Sequence, residues 1–158
     1  MNSNIILALA FGIGVIAGLR AMTAPAVVCW AAHLHWINLY GTHLSFMGTT
    51  IALVIFTLAA VGEIVNDKLP KTGPRTAPPS VVIRMVMGGF SAATLTVGAG
   101  GSLWVGALLG VIGALVGTFG GYQVRTKTVK ALHSPDFVIA LLEDAVAVCG
   151  GLFLASRL

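Results

Sequence analysis

Long apolar blocks alternate with short polar connections along the 158-residue chain. The apolar blocks cover residues 5–34, 47–66, 80–97, 103–123 and 137–156. Each block is close to or above the roughly 20 residues that a helix needs to span the hydrocarbon core of a bilayer. Because the blocks use nearly the whole chain, we predict an all-α polytopic membrane protein with about five transmembrane helices, in a single transmembrane domain over residues 1–158.

The first block is longer than one simple crossing requires, and it contains Pro25 within the stretch GLRAMTAP (18–25). The residue before a proline is biased away from helical geometry. We therefore expect a break near Pro25, with one half-helix at about 5–20 and a second at about 25–35. A proline kink in a single tilted helix is the alternative.

The composition supports a membrane protein and excludes an ordinary soluble domain. The mean hydropathy is +0.96 and charged residues make up 9% of the chain, whereas soluble proteins carry about 25%. Glycines recur at four-residue intervals in the first and fourth blocks, at Gly14 and Gly18, Gly106 and Gly110, and Gly113, Gly117 and Gly121. Such faces let helix backbones approach closely in lipid. We therefore expect these two blocks to contact each other, within a protomer or between the protomers of a homo-oligomer.

Basic residues concentrate in two of the four connections, and this distribution predicts an orientation. They are Lys68, Lys71, Arg75 and Arg84 after the second block, and Arg125, Lys127 and Lys130 after the fourth. Cytoplasmic loops carry an excess of Lys and Arg, so we predict a cytoplasmic N-terminus and a periplasmic C-terminus, with Arg157 against the trend. Topology and the anionic headgroups of the lipid bilayer explain these residues better than nucleic acid does.

Polar and ionisable residues inside or at the edge of the apolar blocks are the first candidates for a functional site, because burying a charge is costly without a partner or water. The candidates are Arg20, Glu63, Asn66, Asp67, Arg84, Glu143 and Asp144. Glu63 and Asp67 are four residues apart and share one helix face. A rise of about 1.5 Å per residue puts Glu63 and Glu143 at similar depths in the cytoplasmic half. Four carboxylates against Arg84 would leave an excess of negative charge.

Three interpretations of this cluster are open. It is a set of salt bridges between helices, a polar cavity in which carboxylates bind a cation or cycle protons, or the site of a metal-dependent enzyme at the membrane surface. Arg20 either binds an anion together with the amides of the second half-helix or pairs with an acidic residue such as Glu143. The acid excess favours protons or cations, so the first hypothesis is a small ion transporter or ion-coupled transporter for a small ion or anionic solute.

The alternatives are a membrane enzyme that acts on lipid or isoprenoid phosphates and a structural or assembly subunit. In the enzyme, Asn66 and Asp67 would hold a divalent ion while Lys68, Lys71 and Arg75 bind phosphate. No Gly-rich phosphate loop, nucleophile elbow or HExxH motif occurs in the sequence, so no motif supports an enzyme. The sequence indicates no cofactor.

Four short stretches together resemble a known family. They are GLRAMTAP (18–25), GEIVNDKLP (62–70), TGPRTAPP (72–79), and Arg84 with Gly88. Over nearly the whole chain they are similar to a family of small bacterial integral membrane proteins, domain-of-unknown-function family 4126. The resemblance implies a helical protein of the bacterial inner membrane, and it carries no established activity, cofactor or catalytic residues.

Overall fold

The computed structural model describes residues 2–68, 76–132 and 136–158. These residues form six α-helices and one 3-10 turn, and they contain no strand. The helices are α1 (Ser3–Leu19), α2 (Thr23–His33), α3 (Thr50–Asn66), α4 (Pro78–Gly98), α5 (Leu103–Leu132) and α6 (Asp136–Ala155), with the 3-10 turn at Ser45–Gly48. The prediction of an all-helical chain is therefore confirmed.

The helices have the lengths and the apolar surfaces of a membrane protein. Within the described ranges, α4, α5 and α6 are long and apolar enough to cross a membrane, and α1 and α3 are shorter apolar helices of 17 residues each. Large apolar side chains cover the outside of the bundle, for example Leu58 and Trp104, which are 65% and 80% exposed. Apolar surface on this scale marks contact with lipid rather than with water.

The helices α1, α4 and α5 form the most closely packed part of the molecule. A Cβ atom added at Gly14 of α1 would lie 2.8 Å from the Cα of Gly110 in α5. One added at Gly18 would lie 2.7 Å from the Cα of Gly117, and one added at Gly88 of α4 would lie 2.8 Å from the carbonyl oxygen of Gly110. Because a side chain has no room at these positions, the glycines set the distance between the three helices.

The direction of α1 follows from its neighbours. The glycine pairs just described keep the same order along α1 and α5, so these two helices are parallel. Arg84, near the start of α4, donates to the carbonyl oxygens of Gly18 and Leu19 at the end of α1, so α1 and α4 are antiparallel. We call the end of the bundle where Lys68, Arg84 and Arg125 lie the basic end, and the opposite end the far end.

The chain reverses after α1, and α2 returns from the basic end to the far end. The residues just before α2 contact Glu63 near the end of α3, whereas His33 at the end of α2 contacts Gly48 of the 3-10 turn. Pro25 lies in the first turn of α2, where its missing N–H leaves no hydrogen bond unmade. The expected break near Pro25 is present, but α1 and α2 form a helical hairpin instead of one broken crossing.

This reversal places both termini at the far end. The helix α6 is antiparallel to α1, because Asp144 pairs with Arg20 after the end of α1 while Leu154 packs where a Cβ of Gly12 would lie. The sequence predicted termini on opposite sides of the membrane, and the sides that they face stay a prediction; in the structure the start of α1 and the end of α6 lie at the same end of the bundle. The first apolar block runs to the basic end as α1 and returns as α2. This return brings the start of α1 and the end of α6 to the far end.

Candidate functional site

The reversal between α1 and α2 leaves backbone groups that neither helix can pair. The last turn of α1 has free carbonyl groups, and the first turn of α2 has free amide groups. In lipid, where no water is present to bond them, such groups must be satisfied by other parts of the protein. Charged side chains from α3 and α4 bind the carbonyl groups at the end of α1 and the two amide groups that directly precede α2.

Arg84 of α4 caps the end of α1. Its Nη1 atom donates to the carbonyl oxygens of Gly18 and Leu19, each at 2.7 Å, and its side chain is buried. The hydroxyl of Thr118 in α5 lies 3.3 Å from the same Gly18 oxygen. A cation is favourable at this position, because the C-terminal end of a helix carries partial negative charge.

Glu63 of α3 binds the amides that precede α2. Its two carboxylate oxygens accept hydrogen bonds from the backbone N–H groups of Ala21 and Met22, each at 2.8 Å. One of these oxygens, Oε1, also lies 3.8 Å from Nη2 of Arg84. The sequence suggested that the amides of the second half-helix bind an anion beside Arg20. In the structure the anion at these amides is the protein's own Glu63.

Arg20 lies between α3 and α6 and is fully buried. Its guanidinium pairs with Asp67 of α3 through Nη1 and with Asp144 of α6 through Nε, the latter at 2.6 Å. Lys68 also reaches Asp144, at 2.9 Å. The sequence named Glu143 as a partner for Arg20, and the partner on α6 is the neighbouring Asp144 instead.

Counted over the described residues, the charges of this cluster cancel, and the predicted acid excess is not present among them. Three carboxylates face three basic side chains, and they are Glu63, Asp67 and Asp144 with Arg20, Lys68 and Arg84. The prediction counted Arg84 as the local base and assigned Lys68 to the membrane surface. Lys68 follows Asp67 directly in the sequence, and this adjacency was the signal that could have placed it in the cluster.

Glu143 lies outside the cluster, although it was grouped with Glu63 by depth. Its Oε2 atom is 3.6 Å from Nη1 of Arg125, beside a cavity of about 430 Å³ between α5 and α6. With 3.6 residues per turn, consecutive helical residues point about 100° apart, so Glu143 and Asp144 face different neighbours. Asn66 is exposed at the end of α3, and Lys71 and Arg75 lie outside the described residues.

A groove of about 490 Å³ begins one helical turn from the ion pairs. We call it the α3–α6 groove, and α2 forms its floor. Its lining comprises Thr23, Ala26, Val27 and Trp30 of α2, Leu34 and Trp36 after it, Thr57, Ala60, Val61 and Ile64 of α3, and Val148 and Leu152 of α6. The helix α3 packs on α2 and on the 3-10 turn and has little contact with α6. The ion pairs of Arg20 and Lys68 therefore join α3 to α6 at the basic end of this groove.

Metal ligands do not cluster in the described part of the chain. Among those residues, no three His, Cys, Asp or Glu side chains are grouped as they would be around an ion. Asp67, which the enzyme hypothesis assigned to a divalent ion, pairs with Arg20. No contact of the described residues favours the enzyme hypothesis over the others.

Three of the stretches that carry the family resemblance supply residues that meet here, because GLRAMTAP makes the reversal and the charges that bind it come from the described part of GEIVNDKLP and from Arg84. The chain belongs to the DUF4126 family. The model of this family, a domain of unknown function, matches residues 7–156, which confirms the resemblance seen in the sequence. No curated protein and no solved structure shows a significant match to the chain.

Proposed function

We propose that the protein is a small proton-coupled transporter of the bacterial inner membrane, with the cluster at the α1–α2 reversal as its coupling site. The basic end faces the cytoplasm, by the rule that Lys and Arg collect on that side, and both termini are periplasmic. Five helices, α1 and α3 to α6, cross the bilayer. The 11-residue α2, which is about 16 Å long, is too short to span it alone, so α2 and residues 34–49 together return the chain to the periplasmic side. The glycine faces of α1, α4 and α5 provide the rigid part of the transporter.

The observation that carries the proposal is that charges, rather than apolar contacts, join α3 to α6. Arg20 and Lys68 hold Asp144 from one side, and Arg20 holds Asp67 from the other. Removing one partner from a buried pair leaves an uncompensated charge, which is strongly unfavourable. A proton that binds Asp144 would therefore separate α6 from α3 and open the basic end of the groove.

Charge balance indicates what travels with the proton. Counted over the described residues, the cluster is neutral when its carboxylates are ionised, so one added proton would leave these residues with a net positive charge in a region of low dielectric. An anionic solute that enters at the same time restores neutrality. The arrangement therefore favours joint movement of a proton and a monovalent anion over movement of a free metal cation.

The test compares the adjacent carboxylates of α6 as a matched pair. Proteoliposomes that trap a pH-sensitive dye are given an inward proton gradient, with chloride, nitrate or a long-chain alkanesulfonate outside. We expect anion-dependent proton entry that falls at least tenfold in Asp144→Asn and stays within twofold in Glu143→Gln. Size-exclusion chromatography and circular dichroism would check that both variants fold.

Two results would contradict the proposal. The first is proton entry no faster than in empty liposomes with every anion. The second is equal activity of Asp144→Asn and Glu143→Gln in protein that folds normally, since only Asp144 contacts Arg20 and Lys68.

A further inference from the structure

The α3–α6 groove contains a polar group that the fold itself leaves without a partner. Thr23 lines the groove at the end near the ion pairs, and its residue is only 2% exposed. Its hydroxyl oxygen has no hydrogen-bond partner among the described residues. Buried hydroxyl groups are nearly always bonded, because leaving one unpaired costs about 1–3 kcal/mol. The position of Thr23 indicates that an atom in the groove completes this bond.

A second incomplete group belongs to Arg20, which precedes Thr23 by three residues and does not itself line the groove. The Nη2 atom of Arg20 is buried and has no hydrogen-bond partner among the described residues. A guanidinium can only donate, and a threonine hydroxyl can donate as well. Thr23 is also the first residue of α2, where the helix dipole is positive. The missing partner is therefore an acceptor, and an anionic oxygen satisfies it best.

The rest of the groove selects a hydrocarbon chain. Between Thr23 and the far end, its lining is aliphatic, with Val27, Val61 and Val148 on three different helices. Trp30 and Trp36 line the groove toward the far end. Its volume of about 490 Å³ lies in the range of small-molecule sites, roughly 300–1,000 Å³. An apolar lining and a volume of this size suit a single hydrocarbon chain.

We propose that the α3–α6 groove binds a free single-chain amphiphile with a monoanionic head, of the long-chain carboxylate class. The head lies at Thr23 beside Arg20, and the chain lies among the aliphatic side chains toward Trp30. The Thr23 hydroxyl would bind one oxygen of the carboxylate and Nη2 of Arg20 the other, and the cluster, neutral over the described residues, would take up one negative charge together with one proton. This assignment rests on the proposed function in one respect, because it makes the amphiphile the anion that moves with the proton.

Binding can be measured without any gradient, by using Trp30 as the reporter. The protein is placed in nanodiscs with Trp36→Phe and Trp104→Phe, so that Trp30 alone fluoresces. The probe is a bromine-labelled long-chain alkanesulfonate, whose head stays anionic and whose bromine quenches tryptophan on contact. We expect quenching of Trp30 to saturate as the probe is added. In the matched protein that keeps only Trp104, which is 80% exposed, quenching should rise without saturating.

Two variants test the role of the Thr23 hydroxyl. Thr23→Val keeps the shape of the side chain and removes the donor, so affinity should fall about tenfold, which corresponds to about 1.4 kcal/mol. Ser91→Ala is the control, because Ser91 is a buried hydroxyl on α4 that also has no partner among the described residues and does not line the groove. The affinity of Ser91→Ala for the brominated probe should stay within twofold of that of the parent protein.

Several outcomes would overturn the assignment. They are quenching of Trp30 that never saturates, equal affinities for Thr23→Val and Ser91→Ala, equally tight binding of a brominated alkanol, and saturation by a brominated diacyl phospholipid at the same mole fraction. Saturable binding without proton entry would instead overturn the transport proposal and leave the site. Proton entry with chloride but no saturable binding would overturn the amphiphile site and leave the transport proposal standing.

Discussion

The helices α1, α4 and α5 contact one another through glycine, whereas α3 and α6 are joined through charge. In the first region, the backbones at Gly14, Gly88 and Gly110 approach too closely for any side chain to intervene. In the second region, Arg20 and Lys68 bridge two helices that have little other contact. Close packing fixes one geometry, while an ion pair can be broken by a single proton. In the proposed transport, the glycine-packed region would stay fixed and the region joined by charge would move.

The two regions meet at the reversal after α1. The helix α1 belongs to the glycine-packed region and α2 belongs to the charge-linked region, and only Arg20, Ala21 and Met22 separate them. Glu63 and Arg84 bind the backbone on the two sides of this short connection. A movement of α3 or α6 would therefore displace this connection, the tip of the α1–α2 hairpin, before it displaced the rest of α1.

The largest expected effect is a side chain forced into the glycine-packed region. Gly110→Val would drive a side chain into Gly88, whose carbonyl carbon would lie 2.8 Å from the added Cβ. We expect a loss of more than about 3 kcal/mol in the free energy of unfolding, seen as a collapse of the thermal transition in circular dichroism. Gly120→Val on the same helix is the control, because no atom lies within 4 Å of a Cβ there. Equal effects of the two changes would show that glycine packing does not hold this region together.

A smaller loss is expected when the cap of α1 is removed. Arg84→Met removes the donor of the Leu19 carbonyl, leaves the Gly18 carbonyl only the longer contact with Thr118, and takes the basic partner from Glu63. It should cost about 3 kcal/mol. Arg125→Met provides the comparison, because Arg125 pairs with Glu143 at 3.6 Å and its side chain is 19% exposed, so its loss should cost less than about 1 kcal/mol. The measurement is the unfolding midpoint in detergent. A larger effect for Arg125→Met would mean that Arg84 is not what stabilises the hairpin tip.

The sequence was sufficient to predict the helices, because lipid demands long apolar stretches and those stretches are visible directly. It also indicated a break near Pro25. The direction of the chain after the break could not be predicted, because a proline is compatible with a kink and with a reversal alike. What stabilises the reversal is distant in sequence, since Glu63 binds Ala21 from 42 positions away and Arg84 binds Gly18 from 66.

The residues of the site were predictable for a different reason. A charge inside an apolar block is costly, so Arg20, Glu63 and Asp144 stand out from the amino-acid sequence alone. Their pairing was not predictable. Glu143 and Asp144 are adjacent, and which of them reaches Arg20 depends on how α6 is rotated in the bundle. The error about net charge had the same origin, because Lys68 could be assigned to the membrane surface or to the site.

The whole arrangement depends on the reversal at Arg20, because without it Glu63 and Arg84 would not meet the backbone between α1 and α2. Single cysteines at Ser3→Cys, Ser156→Cys and Lys127→Cys, with Cys29 and Cys149 changed to alanine, can be labelled in sealed vesicles with a membrane-impermeant maleimide. With a reversal at Arg20, Ser3→Cys and Ser156→Cys should be labelled from one side of the membrane and Lys127→Cys from the other. Labelling of Ser3→Cys and Lys127→Cys from the same side, with Ser156→Cys opposite, would contradict it.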